Sequence, residues 1–133
     1  MSNYNERMLE AKQNLEQRLA LQKRTKKDGE NYAISYFNLY KRKMVGELLN
    51  SLIEDMEDQY HCETYFERSY VIQNEEYFNQ TDAYRDGFKE KIVDLTYKAI
   101  CDLIPDFKDN LDVMINEYYK LSTIDIIVIL RFE

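Results

Sequence analysis

STIDIIVILRFE, residues 122–133, is the most apolar stretch of a chain that is otherwise acidic and rich in tyrosine. Ile124, Ile126, Ile127, Val128 and Ile129 are β-branched and lead into Leu130, a composition that fits a pleated, buried surface. Ser122 and Thr123 bound the run in front. Its length suits one strand, with a terminal helix as the alternative, and falls far short of the roughly 20 residues that span a bilayer. A single buried strand is untenable, because its backbone donors and acceptors must be paired. The partner is then either residues 65–72 (YFERSYVI), which also have strand composition, or the equivalent strand of another molecule. In the second case Ile124, Ile126, Val128, Leu130 and Phe132 are the candidate interface residues.

Upstream, the dominant periodicity is helical. Tyr4, Met8, Ala11, Leu15 and Leu19 recur every three or four residues and predict a first helix from about Asn3 to Asp28. Lys23, Arg24, Lys26 and Lys27 sit where cations complement the negative end of a helix dipole, and Gly29 can adopt the left-handed conformation that closes a last turn. A broader stripe of Ala33, Phe37, Tyr40, Met44, Leu48, Leu52 and Met56 predicts a second, central helix over 31–60. Gly46 in its middle costs about 1 kcal/mol relative to alanine and reads as the site of a close helix crossing.

Periodicity weakens over residues 61–80. Thr81 and Asp82 then offer caps for a third helix, whose stripe Tyr84, Phe88, Ile92, Leu95, Ala99 and Leu103 stops before Pro105. Phe107, Leu111, Met114, Tyr118 and Leu121 predict a fourth, to about Lys120. The expected fold is therefore mainly α, a four-helix antiparallel bundle-like single domain over 1–133. It comprises a basic helical hairpin (3–60), an irregular acidic and aromatic segment (61–80), a second helical hairpin (82–121) and a short apolar C-terminal strand (123–132), with residues 65–72 as that strand's possible partner within the chain.

A domain of this size buries about two-thirds of its unfolded surface and needs no disulfide or metal for stability. Three glycines and one proline are too few for a sandwich or barrel of many short strands. Cys62 and Cys101 lack paired-ligand spacing and read as reduced thiols. The opening MSNYNERMLE carries charges where a secretion signal needs an apolar centre, so a cytoplasmic protein without direct membrane contact is expected. Charge is uneven: residues 1–43 hold ten Lys or Arg against five acids, whereas residues 44–133 hold eight against twenty. Either the two regions pack together within one molecule, or opposite ends of neighbouring molecules attract.

Catalytic signatures are missing. Asp58 and His61 resemble half of a carboxylate-bridged di-metal site, but no second histidine exists to complete it. Glu54 and Glu57 have the spacing of one magnesium-binding helix of the helical nucleotide pyrophosphatases, yet the second pair is not reproduced, since Glu90 and Asp94 stand four apart. Cys62 beside His61 points about 100° away from it on a helix, so the two form no dyad. No metal or cofactor is expected.

Tyrosine is the telling excess, with twelve residues and no tryptophan. Tyr32, Tyr36 and Tyr40 repeat every four residues and are interface candidates. The expected function is a non-enzymatic protein-binding or assembly role, structural or adaptor in kind, exercised through the C-terminal segment and a tyrosine-rich surface by self-association or docking on a larger assembly. Abundant Asn, Tyr, Lys, Glu and Ile suit an AT-rich genome such as that of a low-GC bacterium or its phage. The alternative is an acidic nucleic-acid mimic that inhibits a DNA- or RNA-binding protein such as a host defence nuclease. Its acidic face would consist of Glu54, Asp55, Glu57, Asp58, Glu63, Glu67, Glu75 and Glu76. Direct nucleic-acid contact is open only to the basic segments 23–27 and 41–43.

Overall fold

The computed structural model describes residues 3–58 and 62–132. A single helix, α1, runs without interruption from Tyr4 to Glu57. Asn3 caps it by accepting a hydrogen bond from the Glu6 amide at 2.8 Å, which satisfies one of the donors a helix start leaves open. Strand β1 (Tyr65–Gln73), the single-turn helix α2 (Glu75–Phe78) and helix α3 (Asp82–Leu103) follow. Strands β2 (Leu111–Tyr118) and β3 (Thr123–Arg131) close the chain. Short 3-10 turns occupy Pro105–Asn110 and Tyr119–Leu121.

The three strands form one antiparallel sheet in the order β1-β3-β2. This overturns the four-helix antiparallel bundle. Two expected helical hairpins are absent: residues 3–60 form one helix as far as Glu57, and the expected fourth helix over 107–120 is a turn followed by a strand. In the latter region Leu111, Val113 and Ile115 alternate with Asp112, Met114 and Asn116. That period of two coexists with the helical spacing of Leu111, Met114 and Tyr118, and pairing with β3 decides between them.

The C-terminal run is the central strand, paired on both edges. Tyr70 lies opposite Ile126 and Ile72 opposite Ile124 on one side. On the other, Leu111 faces Leu130 and Val113 faces Val128. Ile124, Ile126, Val128 and Leu130 are fully buried beneath α1 and α3. They are core residues, which is why they offer no adhesive surface. Phe132 is partly buried and packs edge-on to Phe66 and Phe107.

Two glycines govern how the helices meet. A β-carbon at Gly29 would lie 1.9 Å from the Tyr84 carbonyl oxygen, and one at Gly87 would lie 2.1 Å from the Lys26 carbonyl oxygen. The backbones of α1 and α3 therefore touch at this crossing, and any side chain at either position would separate them. Gly29 ends nothing: it keeps a negative φ and the helix continues through it. Gly46 has no neighbour within 4 Å that an added β-carbon would meet, so the crossing is not there. Past the crossing, Ala33, Phe37, Met44 and Leu48 of α1 and Phe88, Ile92 and Ile100 of α3 bury against the sheet. Before it, every residue from Asn3 to Arg24 is exposed. These residues form an arm that extends about 30 Å at 1.5 Å per residue.

The three glycines should respond in opposite senses to alanine. Gly87→Ala and Gly29→Ala are expected to lower unfolding free energy by about 2–3 kcal/mol through overpacking. Gly46→Ala is expected to raise it by about 0.5–1 kcal/mol by restricting the unfolded chain. Urea denaturation of the three variants checks this; a tolerated Gly87→Ala would contradict the close crossing.

Candidate functional site

Three surface features stand out on this frame, and the arm is the first. On it Tyr4, Met8, Leu15 and Leu19 remain 86%, 71%, 47% and 52% exposed. With Ala11 they continue, at the same helical phase, the stripe that Gly29, Ala33 and Phe37 bury further along α1. At 100° per residue, Arg7 and Arg18 lie on one side of the stripe and Lys12 and Lys23 on the other, all within roughly 80° of its centre. Glu6 and Glu10 fall on the opposite side of the helix. At the arm's base, an open groove is lined by Glu16, Leu19, Ala20 and Lys23 of α1 and by Ala83 and Asp86 of α3.

The uncovered face of the sheet is the second feature. Odd-numbered residues of β3 point away from the helices, and on that face Ile127 and Ile129 stand in the centre, buried among the side chains of the flanking strands at 5% and 3% exposure. Glu67 and Asp112 flank Ile129, and Ser69 and Met114 flank Ile127. Val71 is 56% exposed, Met114 42%, Tyr118 43% and Tyr65 41%. Asp125 lies between Val71 and Asn116, and burial holds its carboxyl above the ordinary carboxylate range.

The tyrosine ladder is the third. Tyr36 stacks obliquely on Tyr40 at 4.5 Å between ring centroids and on Tyr32 at 6.4 Å. Tyr32 and Tyr36 are partly buried against the core, and Tyr40 is exposed. Asn74 ties this ladder to the sheet: its side-chain amide donates to the Tyr32 hydroxyl at 2.7 Å, and its backbone amide donates to the Ser122 carbonyl at 2.9 Å. Burial pushes the Tyr32 and Tyr36 phenols upward from their ordinary value.

A charged cluster joins β2 to α3. Glu117 is largely buried on the helix side of the sheet and accepts from Lys89 Nζ at 2.7 Å, with Arg85 Nη1 at 3.9 Å. Arg85 also donates to the Tyr119 hydroxyl and to Asp82. Tyr77 is buried beside it, and burial together with the charge of Glu117 raises its phenol pKa. Lys89 also pairs with Asp86 at 3.5 Å, so two cations meet three carboxylates and the cluster tethers β2 to α3.

The candidate acidic residues do not share one face. Glu54, Asp55, Glu57, Asp58 and Glu63 gather near the end of α1, where Asp55 forms a bidentate pair with Arg68. Glu75 and Glu76 lie beyond the other end of β1, on α2, about 30 Å away along a nine-residue strand. Glu67 is on the uncovered sheet face and accepts from the Tyr65 hydroxyl at 2.7 Å. His61 lies outside the described residues.

The magnesium comparison dissolves as well. Glu90 pairs with Lys26 at 2.9 Å, which places it some 28 residues, or about 40 Å of helix, from Glu54. Among the described residues no group of three or more His, Cys, Asp or Glu is placed to hold a metal. Both cysteines are free. No helix among the described residues is long and apolar enough to cross a membrane. The basic segments 23–27 and 41–43 lie on the same helix, one at the base of the arm and the other beyond the crossing.

Sequence reasoning placed the arm's stripe in a core and missed the open sheet face. The available signals were the interruption of the apolar stripe by Gln22 and Lys26 just before Gly29, and the alternation from Leu111 to Asn116. Comparison with protein-family models, with curated proteins and with solved structures finds no match.

Asp125 gives a pH signature for the sheet face. Its native carboxyl keeps a proton to higher pH than the unfolded chain does, so its contribution lowers stability as pH rises from the ordinary carboxylate value, about 3.9, through the raised one. Asp125→Asn is expected to stabilise the fold at pH 7, with the gain fading as pH falls towards 3. Urea titrations at both pH values check this, and a gain independent of pH would contradict it.

Proposed function

We propose that this chain is a non-enzymatic protein-binding or assembly protein that works through the projecting half of α1. One observation carries the reading: some twenty residues of helix hold an apolar stripe that no part of the described fold covers. An isolated helix of this length is marginal in water. Here the first half is extended from a second half fixed in the core, so the stripe is presented pre-ordered. Pre-ordering removes part of the entropy cost of binding, and residues spaced at three and four suit docking in a partner's apolar groove or on its apolar face.

Tyr40 and Leu39, 39% and 74% exposed, extend the candidate surface beyond the crossing. The helix-facing residues of the C-terminal strand, Ile124, Ile126, Val128 and Leu130, belong to the core and so to the frame. The division of the acidic residues between the two ends of β1 gives no single strongly negative face, and so does not favour the nucleic-acid mimic.

Because Met8 and Leu15 are exposed, Met8→Glu with Leu15→Glu is expected to leave the thermal midpoint within about 2 °C of the parent. The same double variant should lose the proteins that the parent retains when each is used as bait in extract of the native host. Equal retention by both baits would sink the proposal.

A further inference from the structure

We propose that the arm of one molecule seats on the uncovered sheet face of a second copy, with its apolar stripe laid along β3. This rests on the reading of the arm as the binding element and names what it binds.

The two surfaces correspond in length, breadth and charge. The exposed arm, Tyr4–Arg24, is about 30 Å long, and the nine residues of β3 extend about 30 Å. A three-stranded face is about one helix wide, roughly 10 Å between its outer strands. The face presents Val71 and Met114 around the buried Ile127 and Ile129, with three carboxylates, Glu67, Asp112 and Asp125, against the one cation Arg131. The arm presents Met8, Leu15 and Leu19 between Arg7 and Arg18 on one flank and Lys12 and Lys23 on the other, where Glu16 pairs with Lys12 at 3.9 Å. Burial already holds the Asp125 carboxyl above its ordinary range, and an arriving cation would relieve that cost.

Alternatives within the chain and between arms are disfavoured by geometry and charge. The arm continues an uninterrupted helix whose other half packs on the opposite face of the sheet. It would have to fold back around the sheet edge to reach its own open face, and continuous helices bend only gently. Two arms packed on each other would oppose Arg7 and Arg18, or Lys12 and Lys23, to their counterparts in an antiparallel pair, and one row to the other in a parallel pair. Like charges therefore meet in either orientation. The arm-to-sheet contact joins two different patches, so it closes by reciprocal exchange or runs on as a chain of molecules.

Two variants of the full chain separate the surfaces: Met8→Glu with Leu15→Glu on the arm, and Val71→Lys with Met114→Lys on the sheet. Light scattering of the parent at up to 200 µM is expected to show concentration-dependent mass above the monomer, with at least a tenfold loss of affinity in each variant alone. A fluorescently labelled arm variant should then bind the unlabelled sheet variant, because each supplies the surface the other lacks, while neither binds itself. Circular dichroism confirms that each variant is folded. A parent that stays monomeric, a sheet variant that associates like the parent, or a mixture that fails to associate would each overturn the seat. If the arm variant nevertheless loses its host partners, the protein-binding reading survives and only the second copy is excluded; if it keeps them, that reading fails independently.

Discussion

The contact between α1 and α3 at Gly29 and Gly87 is the constraint on which the rest of the structure depends. Each glycine faces a carbonyl oxygen of the other helix at a distance that no β-carbon could share. Backbones this close gain dispersion contacts and weak Cα–H···O interactions along the crossing. They also fix where α1 is gripped. After Gly29 one side of the helix is buried in the core, and every residue from Asn3 to Arg24 is left in solvent. The division of one helix into a core half and an arm half follows from where two glycines fall.

The sheet supplies the other half of the frame. With β3 central and both neighbours antiparallel to it, the strand's backbone groups are satisfied on both edges. Its side chains then serve two layers: Ile124, Ile126, Val128 and Leu130 fill the interior, while Ile127 and Ile129 fill the centre of the opposite face. An antiparallel sheet can leave one face to water, and such a face usually alternates to polar residues. Here the central strand keeps Ile127 and Ile129 at the middle of that face, while Asp125 and Arg131 of the same strand and Glu67 and Asp112 of its neighbours bring charge. The arm of a second copy is proposed to seat on that face.

Legibility of this fold in the sequence varied with how local the deciding interaction was. The β-branched run from Ile124 to Ile129 favours a strand by its composition, though its length also fits a terminal helix, and pairing on both edges decides for the strand. The Thr81 cap and Pro105 bracket α3 by local chemistry, and the structure places its ends at Asp82 and Leu103. Gly29 misleads because the residues before it, Lys23 to Lys27, also look like a helix end. What keeps the helix going is the approach of α3 from more than fifty positions away in sequence. Residues 111–118 mislead for a similar reason, since two periods fit the same side chains and the choice is made by a partner strand. The interface candidates divide along the same line: the tyrosine ladder is a consequence of i, i+4 spacing and is found as such, whereas exposure of the arm depends on where α3 begins.

An uninterrupted α1 is the claim on which both the arm and its proposed role stand, and a single distance tests it. Spin labels at Met8→Cys and Leu39→Cys, in a chain with Cys62 and Cys101 replaced by serine and diluted into unlabelled protein, report the span across Gly29 by pulsed dipolar spectroscopy. A continuous helix separates the two backbone positions by about 46 Å, from 31 residues at 1.5 Å each. A hairpin turning at Gly29 would bring them to roughly 20 Å. A narrow distribution near the longer distance is the result expected here, and a dominant population near the shorter one would contradict the account.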